Sequence, residues 1–212
     1  MSAAAGFADE PARLRTGDLV EIHRGAVMDL VSQDVDLGPG GQVVREYLRH
    51  PGAVAIVALD EAGRMLLLRQ YRHPVRSYLW EVPAGLLDQQ GEDLVAAAAR
   101  ELAEEADLRA ARWDTLVDFY TSPGGSDEAV RVFLARDLHP VPTRDRYQRV
   151  AEEAGMISRW VALEEAVDAV LAGRIHNPST VAGALAAHAL AGRDWDGLRP
   201  ADAAWVPRSG CL

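Results

Sequence analysis

Cysteine is almost absent from this sequence: the only one is Cys211, in a chain of 212 residues. A single cysteine cannot form a disulfide bond within the chain, so a disulfide-stabilised fold is excluded and a reducing, cytoplasmic location is expected. Long apolar runs are absent as well, and none reaches the roughly 20 residues that a membrane-spanning helix needs. The N-terminus also lacks the basic start and apolar stretch of a secretory signal. These absences predict a protein that works in the cytoplasm and not in a membrane.

Basic residues are fewer than acidic residues. Lysine and arginine number 22 against 32 aspartate and glutamate residues, so the formal net charge is −10 at pH 7. Proteins hold DNA and RNA mainly by neutralising phosphates with basic side chains. The sequence therefore argues against a nucleic-acid partner. A small anionic substrate would need either a local cluster of arginines or a bound cation.

What is present is the composition of a globular domain, with 49% hydrophobic and 25% charged residues. Near the N-terminus, two segments with the pattern of strands, at 19–30 and 42–50, flank the glycine-rich turn LGPGGQ. Together they predict a small antiparallel sheet, which we assign to an N-terminal domain of residues 1–50.

The rest of the chain, residues 51–212, predicts one larger domain of the mixed α/β or α+β class. Its first part, 53–72, contains two apolar runs on either side of a turn with Gly63, and this pattern predicts a β-hairpin. Further strands are predicted at 79–87, 113–121, 128–138 and 157–163, and helices at 92–106, 164–171 and 179–191.

The helix predicted at 92–106 carries three acidic side chains on one flank, those of Glu101, Glu104 and Glu105. Like charges four residues apart on a helix repel by a few tenths of a kcal/mol. A solvated acidic surface is the simplest interpretation. A divalent cation would also compensate the charge, because Mg²⁺ prefers carboxylate oxygens, water and substrate phosphates as ligands. The loop PAGLLDQQG just before the helix could bring backbone groups to the same cation.

The order of residues in this stretch resembles the Nudix box, G-x5-E-x7-R-E-U-x-E-E-x-G-U, in which U is an aliphatic residue. The matching residues are Gly85, Glu92, Arg100, Glu101, Leu102, Glu104, Glu105 and Leu108. Two features depart from the pattern. Six residues instead of five separate Gly85 from Glu92, and an extra loop residue costs little. Asp107 stands where the box has glycine, and aspartate tolerates the left-handed conformation at a helix end.

The resemblance implies an α/β/α sandwich around a mixed sheet, and hydrolysis of a nucleoside diphosphate linked to another group. It implies Mg²⁺ as the cofactor, with Mn²⁺ as the alternative. The implied metal ligands are Glu101, Glu104, Glu105 and the backbone carbonyl of Ala84, and Glu105 thereby counts as catalytic. The implied catalytic base lies on a late loop and is Glu152 or Glu153, of which we favour Glu153.

Segments outside the box resemble the ADP-ribose pyrophosphatase branch of the family, namely GAVAIVALD, RQYRHPV, LWEVPAGLLD and SPGGSDEAVRVFLA. This resemblance implies cleavage of ADP-ribose to AMP and ribose 5-phosphate. It implies a diphosphate contact for Arg72, a contact to the terminal ribose or to groups around the metal for Glu81, and an adenine contact for Arg45. Glu128 is implied to lie near the metals. Branch members are similar in exchanging an N-terminal sheet domain across a homodimer, so a homodimer is implied here.

Two other functions remain open from the sequence. The box addresses only the diphosphate, so another nucleotide sugar such as ADP-glucose or GDP-mannose could be the substrate. A module that senses a nucleotide without cleaving it is the second alternative. The complete set of acidic box residues and the lack of a basic, DNA-binding segment count against this second alternative.

Overall fold

The computed structural model describes residues 7–148 and 156–205, which form three β-sheets and three α-helices. The N-terminal sheet is antiparallel and consists of β1 (Arg15–Thr16), β2 (Val20–Arg24), β3 (Asp29–Asp36) and β4 (Gln42–Arg49). Strand β3 lies at its centre and pairs with the other three strands. The predicted antiparallel unit is therefore present, and it ends next to the boundary at residue 50, which itself stays a prediction.

The single strand predicted at 19–30 is wrong, because the chain reverses within it. Gly25 donates its N–H to the carbonyl of Met28 at 3.1 Å and closes a turn between β2 and β3. A side chain on Gly25 would collide with that carbonyl oxygen, so this close approach requires glycine. Apolar residues lie on both sides of the turn, so the alternating pattern appeared continuous and did not indicate the turn.

The region predicted as the larger, main domain contains a five-stranded mixed sheet and a three-stranded antiparallel sheet. The strands of the first, in spatial order, are β12 (Arg199–Pro200), β9 (Leu108–Tyr120), β10 (Ala129–Pro140), β5 (Ala53–Ala58) and β8 (Ala84–Leu86). Only β10 and β5 run parallel to each other among these neighbours. The strands of the second, in spatial order, are β11 (Ile157–Ala162), β6 (Arg64–Arg72) and β7 (Ser77–Glu81).

The hairpin predicted at 53–72 is only partly correct. Its turn forms, since Asp60 donates its N–H to the carbonyl of Arg64 at 3.0 Å. The two strands then separate, and a single bridge between Leu59 and Met65 joins them before β5 and β6 enter different sheets. Alternate side chains of β5 enter two different hydrophobic clusters, so both of its faces are buried. An apolar run of this kind identifies a buried strand but does not reveal its neighbours.

The helices cover both faces of the five-stranded sheet. Helix α1 (Leu94–Ala106) packs on one face through Ala97, Ala98 and Leu102. Helix α2 (Leu163–Leu171) packs against strands β11 and β6 and against α3 (Pro178–Ala191), and α3 covers the other face. The predicted α/β/α sandwich with a mixed sheet is confirmed. No helix in the described ranges is long and apolar enough to cross a membrane.

Candidate active site

The loop before α1 fixes where the helix begins. Asp93 is the N-cap, and its carboxylate accepts hydrogen bonds from the N–H groups of Val95 at 2.9 Å and Ala96 at 3.3 Å. Gly91 has a φ of 80°, and Glu92 donates its N–H to the carbonyl of Gln89 at 3.2 Å. Helix α1 therefore begins at Leu94 and not at Glu92 as predicted, because the turn and cap end at Asp93.

An arginine inside α1 ties this loop to the helix. Arg100 donates two hydrogen bonds to the carboxylate of Glu92, both 3.0 Å long, and also pairs with Glu101 and, at 3.5 Å, with Glu104. The hydrogen bonds from Arg100 hold the pKa of the Glu92 carboxyl below its ordinary value. The same hydrogen bonds raise the pKa of the Arg100 guanidinium. Glu101 and Glu104 of the acidic flank are thus paired with the Arg100 guanidinium and do not form a freely solvated surface.

Two box glutamates reach from α1 to the segment that starts β8. The Glu105 carboxylate accepts the N–H of Ala84 at 3.0 Å. The Glu101 carboxylate lies directly against Gly85, where a side chain at position 85 would overlap it. Gly85 is therefore required by the close approach of Glu101, and the backbone at Ala84 and Gly85 lies beside both carboxylates.

Four of the predicted site residues line one cleft at the junction of the two main-domain sheets. They are Arg72 from β6, Glu81 from β7, Ala84 from β8 and Glu105 from α1; Leu68, Gln70, Val82 and Met156 complete the lining. Arg72 donates to both carboxylate oxygens of Glu81, at 2.9 and 2.7 Å. Glu81 is 3% exposed, so it anchors a half-exposed arginine at the edge of the cleft.

The other predicted residues lie elsewhere. Arg45 is exposed on β4 in the N-terminal sheet and donates to the carbonyl of Val44 at 3.3 Å. Glu128 accepts a hydrogen bond from the Thr121 hydroxyl at 2.7 Å. Neither Arg45 nor Glu128 lines the cleft. The candidate bases Glu152 and Glu153 lie outside the described residues.

A family model for the NUDIX domain matches residues 49–181, which is more than half of the chain and includes every element that lines the cleft. The chain belongs to the Nudix hydrolase family. It is an enzyme of that family, as the acidic box predicted. The Nudix loop with its extra residue turns at Gly91 before the helix begins, and Asp107 ends the Nudix helix with a φ of 54°. Both departures from the box are therefore accommodated without disturbing the helix.

The relatives confirm the predicted likeness to the ADP-ribose pyrophosphatase branch. An ADP-ribose pyrophosphatase of Mycobacterium tuberculosis is 45% identical over 88% of this chain and 88% of its own length. An ADP-ribose pyrophosphatase of Bacillus subtilis is 36% identical over 76% of this chain and 84% of its own length. Other matching relatives are named for different substrates, among them GDP-mannose pyrophosphatases.

A solved structure supports the fold. The crystal structure of an ADP compounds hydrolase superposes with a TM-score of 0.72 and covers 89% of this chain and 100% of its own. Its sequence is only 21% identical, so this likeness concerns the fold alone.

Nudix hydrolases generally use divalent metal ions, and the donors beside this cleft are of the right chemical type. Glu101, Glu104, Glu105 and the carbonyl of Ala84 offer only oxygen atoms, which suit Mg²⁺ and Mn²⁺. Across residues 7–148 and 156–205, no group of three or more His, Cys, Asp or Glu side chains is arranged to hold a metal. The Glu101 and Glu105 carboxylates contact Arg100 and the Ala84 N–H instead.

Sequence reasoning missed a residue behind the cleft. Thr180, in the first turn of α3, accepts the N–H of Val82 through its hydroxyl at 3.0 Å and is 1% exposed. The two residues are 98 positions apart, so no local motif could join them. The only local signal was the sequence NPST, which is typical of a helix start with proline at its first position.

Proposed function

We propose that this Nudix hydrolase cleaves ADP-ribose to AMP and ribose 5-phosphate in a reaction that depends on a divalent metal ion. The observation that carries the proposal is the cleft in which Glu105 of the Nudix helix, the Ala84 backbone and the Arg72–Glu81 pair meet. The 45% identity to an ADP-ribose pyrophosphatase supports the choice of substrate.

In the proposed reaction, water attacks one phosphorus atom of the diphosphate, and the bond from that phosphorus to the bridging oxygen breaks. The carboxylate of Glu153, with Glu152 as the alternative, accepts the proton that the water loses. The bridging oxygen leaves with the other phosphate, so the two products are AMP and ribose 5-phosphate. Each product carries one phosphate group, and the attacking water supplies the additional oxygen.

The metal ligands that we propose are Glu101, Glu104, Glu105 and the carbonyl of Ala84. A divalent cation held there supplies charge neutralisation to the diphosphate and lowers the pKa of a bound water. Glu101 and Glu105 would hold the ion through their carboxylate oxygens. We propose Mg²⁺ as the natural ion and Mn²⁺ as a substitute, because both accept oxygen ligands.

The remaining roles concern the substrate. We propose that Arg72 binds the diphosphate, since buried Glu81 fixes its guanidinium at the cleft edge. Glu81 then acts through Arg72, or contacts the terminal ribose. Glu128 stays a proposed neighbour of the metals. The β-sheet register sets it four residues before Val132, which lies level with Ala55 and Ala84.

We propose that the protein is a homodimer in which the N-terminal sheet, residues 1–50, lies on the partner and brings Arg45 to the adenine. Support comes from Val20, Ile22 and Val44, whose apolar side chains are exposed on β2 and β4. Light scattering should give the mass of a dimer, and Ile22→Arg should give a monomer with a raised KM. A wild-type monomer with full activity would refute this arrangement.

The substrate is tested by comparing kcat/KM for ADP-ribose, ADP-glucose and GDP-mannose under identical metal concentrations. The proposal expects ADP-ribose to be preferred by at least about tenfold, a ratio that corresponds to roughly 1.4 kcal/mol of transition-state binding. A higher value for a different nucleotide sugar would transfer the assignment to that substrate. Tight, metal-dependent binding of ADP-ribose without any product would support a sensing module.

A further inference from the structure

We propose that Thr180 is a positioning residue for the cleft: its hydroxyl fixes the backbone segment 81–84 in the place where that segment serves metal and substrate. The inference rests on the proposed function, because it assumes that Ala84 and Glu81 work in the reaction. It adds a residue from α3, on the opposite side of the sheet from the Nudix helix.

Thr180 takes part in a short chain of hydrogen bonds that joins Val82 to Asn177. Its hydroxyl accepts the Val82 N–H at 3.0 Å and donates to the side-chain oxygen of Asn177 at 3.1 Å. Asn177 is the N-cap of α3, and the same oxygen accepts the Thr180 N–H at 2.9 Å. The hydroxyl is therefore oriented by the helix cap, which directs its acceptor lone pair to Val82.

Segment 81–84 is where the chain crosses from the three-stranded sheet to the five-stranded sheet. Glu81 pairs with Leu68 of β6, and three further elements hold the backbone of the rest of the segment. Thr180 of α3 binds the Val82 N–H, Ile56 of β5 donates to the Pro83 carbonyl at 2.8 Å, and Glu105 of α1 accepts the Ala84 N–H. Of these three anchors, only Glu105 is also a proposed metal ligand, whereas α3 and β5 hold the segment from outside that ligand set.

The position of Val82 makes its anchor important for the site. It stands directly between Glu81, which holds Arg72, and Pro83, which has no N–H to contribute. A shift of Val82 would therefore move the Arg72–Glu81 pair and the Ala84 carbonyl together. Groups that orient metal ligands typically change affinity or activity by about 10–100-fold when removed.

The simpler interpretation is that Thr180 only stabilises the fold, as many buried threonines do. Thr115 provides a matched control, because it is also fully buried and its hydroxyl donates to the carbonyl of Pro200 at 3.0 Å. It lies on β9 and does not line the cleft. Thr180→Val and Thr115→Val each remove one buried hydroxyl with almost no change of shape.

The experiment compares the full-length wild type, Thr180→Val, Thr180→Ser and Thr115→Val. Four quantities are measured: the melting temperature, kcat, KM for ADP-ribose, and the Kd for Mn²⁺ without substrate by electron paramagnetic resonance. For Thr180→Val we expect kcat to fall and the Kd for Mn²⁺ to rise, each by about tenfold or more. Thr180→Ser should restore both values to within about threefold of the wild type, because serine keeps the hydroxyl. Thr115→Val should lower the melting temperature and leave both values unchanged.

Equal behaviour of Thr180→Val and Thr115→Val would overturn the proposal. Should Thr180→Val fail to fold, Asn177→Gly gives the answer: glycine is a tolerated N-cap, and the substitution removes the side-chain oxygen that orients the hydroxyl and accepts the Thr180 N–H. A Kd for Mn²⁺ that is unchanged in Asn177→Gly would then refute the positioning role, and a raised Kd would support it. A wild type that binds Mn²⁺ but leaves ADP-ribose intact would refute the proposed function alone, since the Mn²⁺ measurement still tests Thr180.

Discussion

At the scale of single residues, the site depends on contacts that tolerate no extra atoms. Gly85 lies so close to the Glu101 carboxylate that a side chain would occupy its place. The sequence identified both residues through the box, but it did not reveal why glycine is needed there. The reason is close packing and not backbone strain, since Gly85 is absent from the positive-φ residues of the described chain.

Gly85→Ala should displace the Glu101 carboxylate and reduce kcat by about 100-fold, the upper range for disturbing a metal ligand. Gly124→Ala is the matched control, because nothing lies within 4 Å of the place where its methyl group would be. Steady-state kinetics at saturating Mg²⁺ compare the two variants. If Gly85→Ala kept full activity, the assigned role of Glu101 would be wrong.

Glu105→Gln should lower kcat by about 100-fold or more, because the amide is neutral and a weaker ligand than a carboxylate. The melting temperature should change little, because the amide oxygen can still accept the Ala84 N–H. Glu164→Gln, at an exposed position in the first turn of α2, serves as the control. Comparable activity in both variants would remove Glu105 from the metal site.

At the scale of elements, the Nudix loop and helix were predictable because their pattern is local. The sequence predicted the acidic flank, the extra loop residue and the left-handed end at Asp107, and the structure contains all three. Contacts between distant strands were not predictable in this way. The Arg72–Glu81 pair and the separation of β5 from β6 depend on tertiary neighbours, which apolar periodicity does not specify.

The stabilisation that the Glu92–Arg100 ion pair provides between the Nudix loop and α1 should depend on pH. Because Arg100 lowers the pKa of Glu92 in the folded protein, this ion pair stabilises the fold fully above the unfolded pKa, about 4.5. The stabilisation is lost as the pH falls from there through the lower, folded pKa. Melting temperatures between pH 5 and pH 3 should therefore fall less steeply for Glu92→Gln than for the wild type. Parallel curves for the two proteins would show that Glu92 contributes nothing to this loss.

At the scale of the whole molecule, the cleft lies where the two main-domain sheets and the Nudix helix meet. In the proposed function, a chain with a net charge of −10 binds an anionic diphosphate there, and a bound cation would relieve the electrostatic repulsion locally. The overall charge suggests the need for a cation, and the box predicts where it would bind. The sequence could not reveal the hydrogen bond from the Val82 N–H to Thr180 of α3, because the two residues meet only in the folded chain.

The most direct test of this account is product analysis after incubation of the purified protein with ADP-ribose, once with Mg²⁺ and once with a chelator. The account predicts AMP and ribose 5-phosphate in equal amounts with Mg²⁺ and no cleavage with the chelator. Cleavage that proceeds equally well with the chelator would contradict the metal-dependent mechanism. Intact ADP-ribose under both conditions would contradict the proposed activity itself.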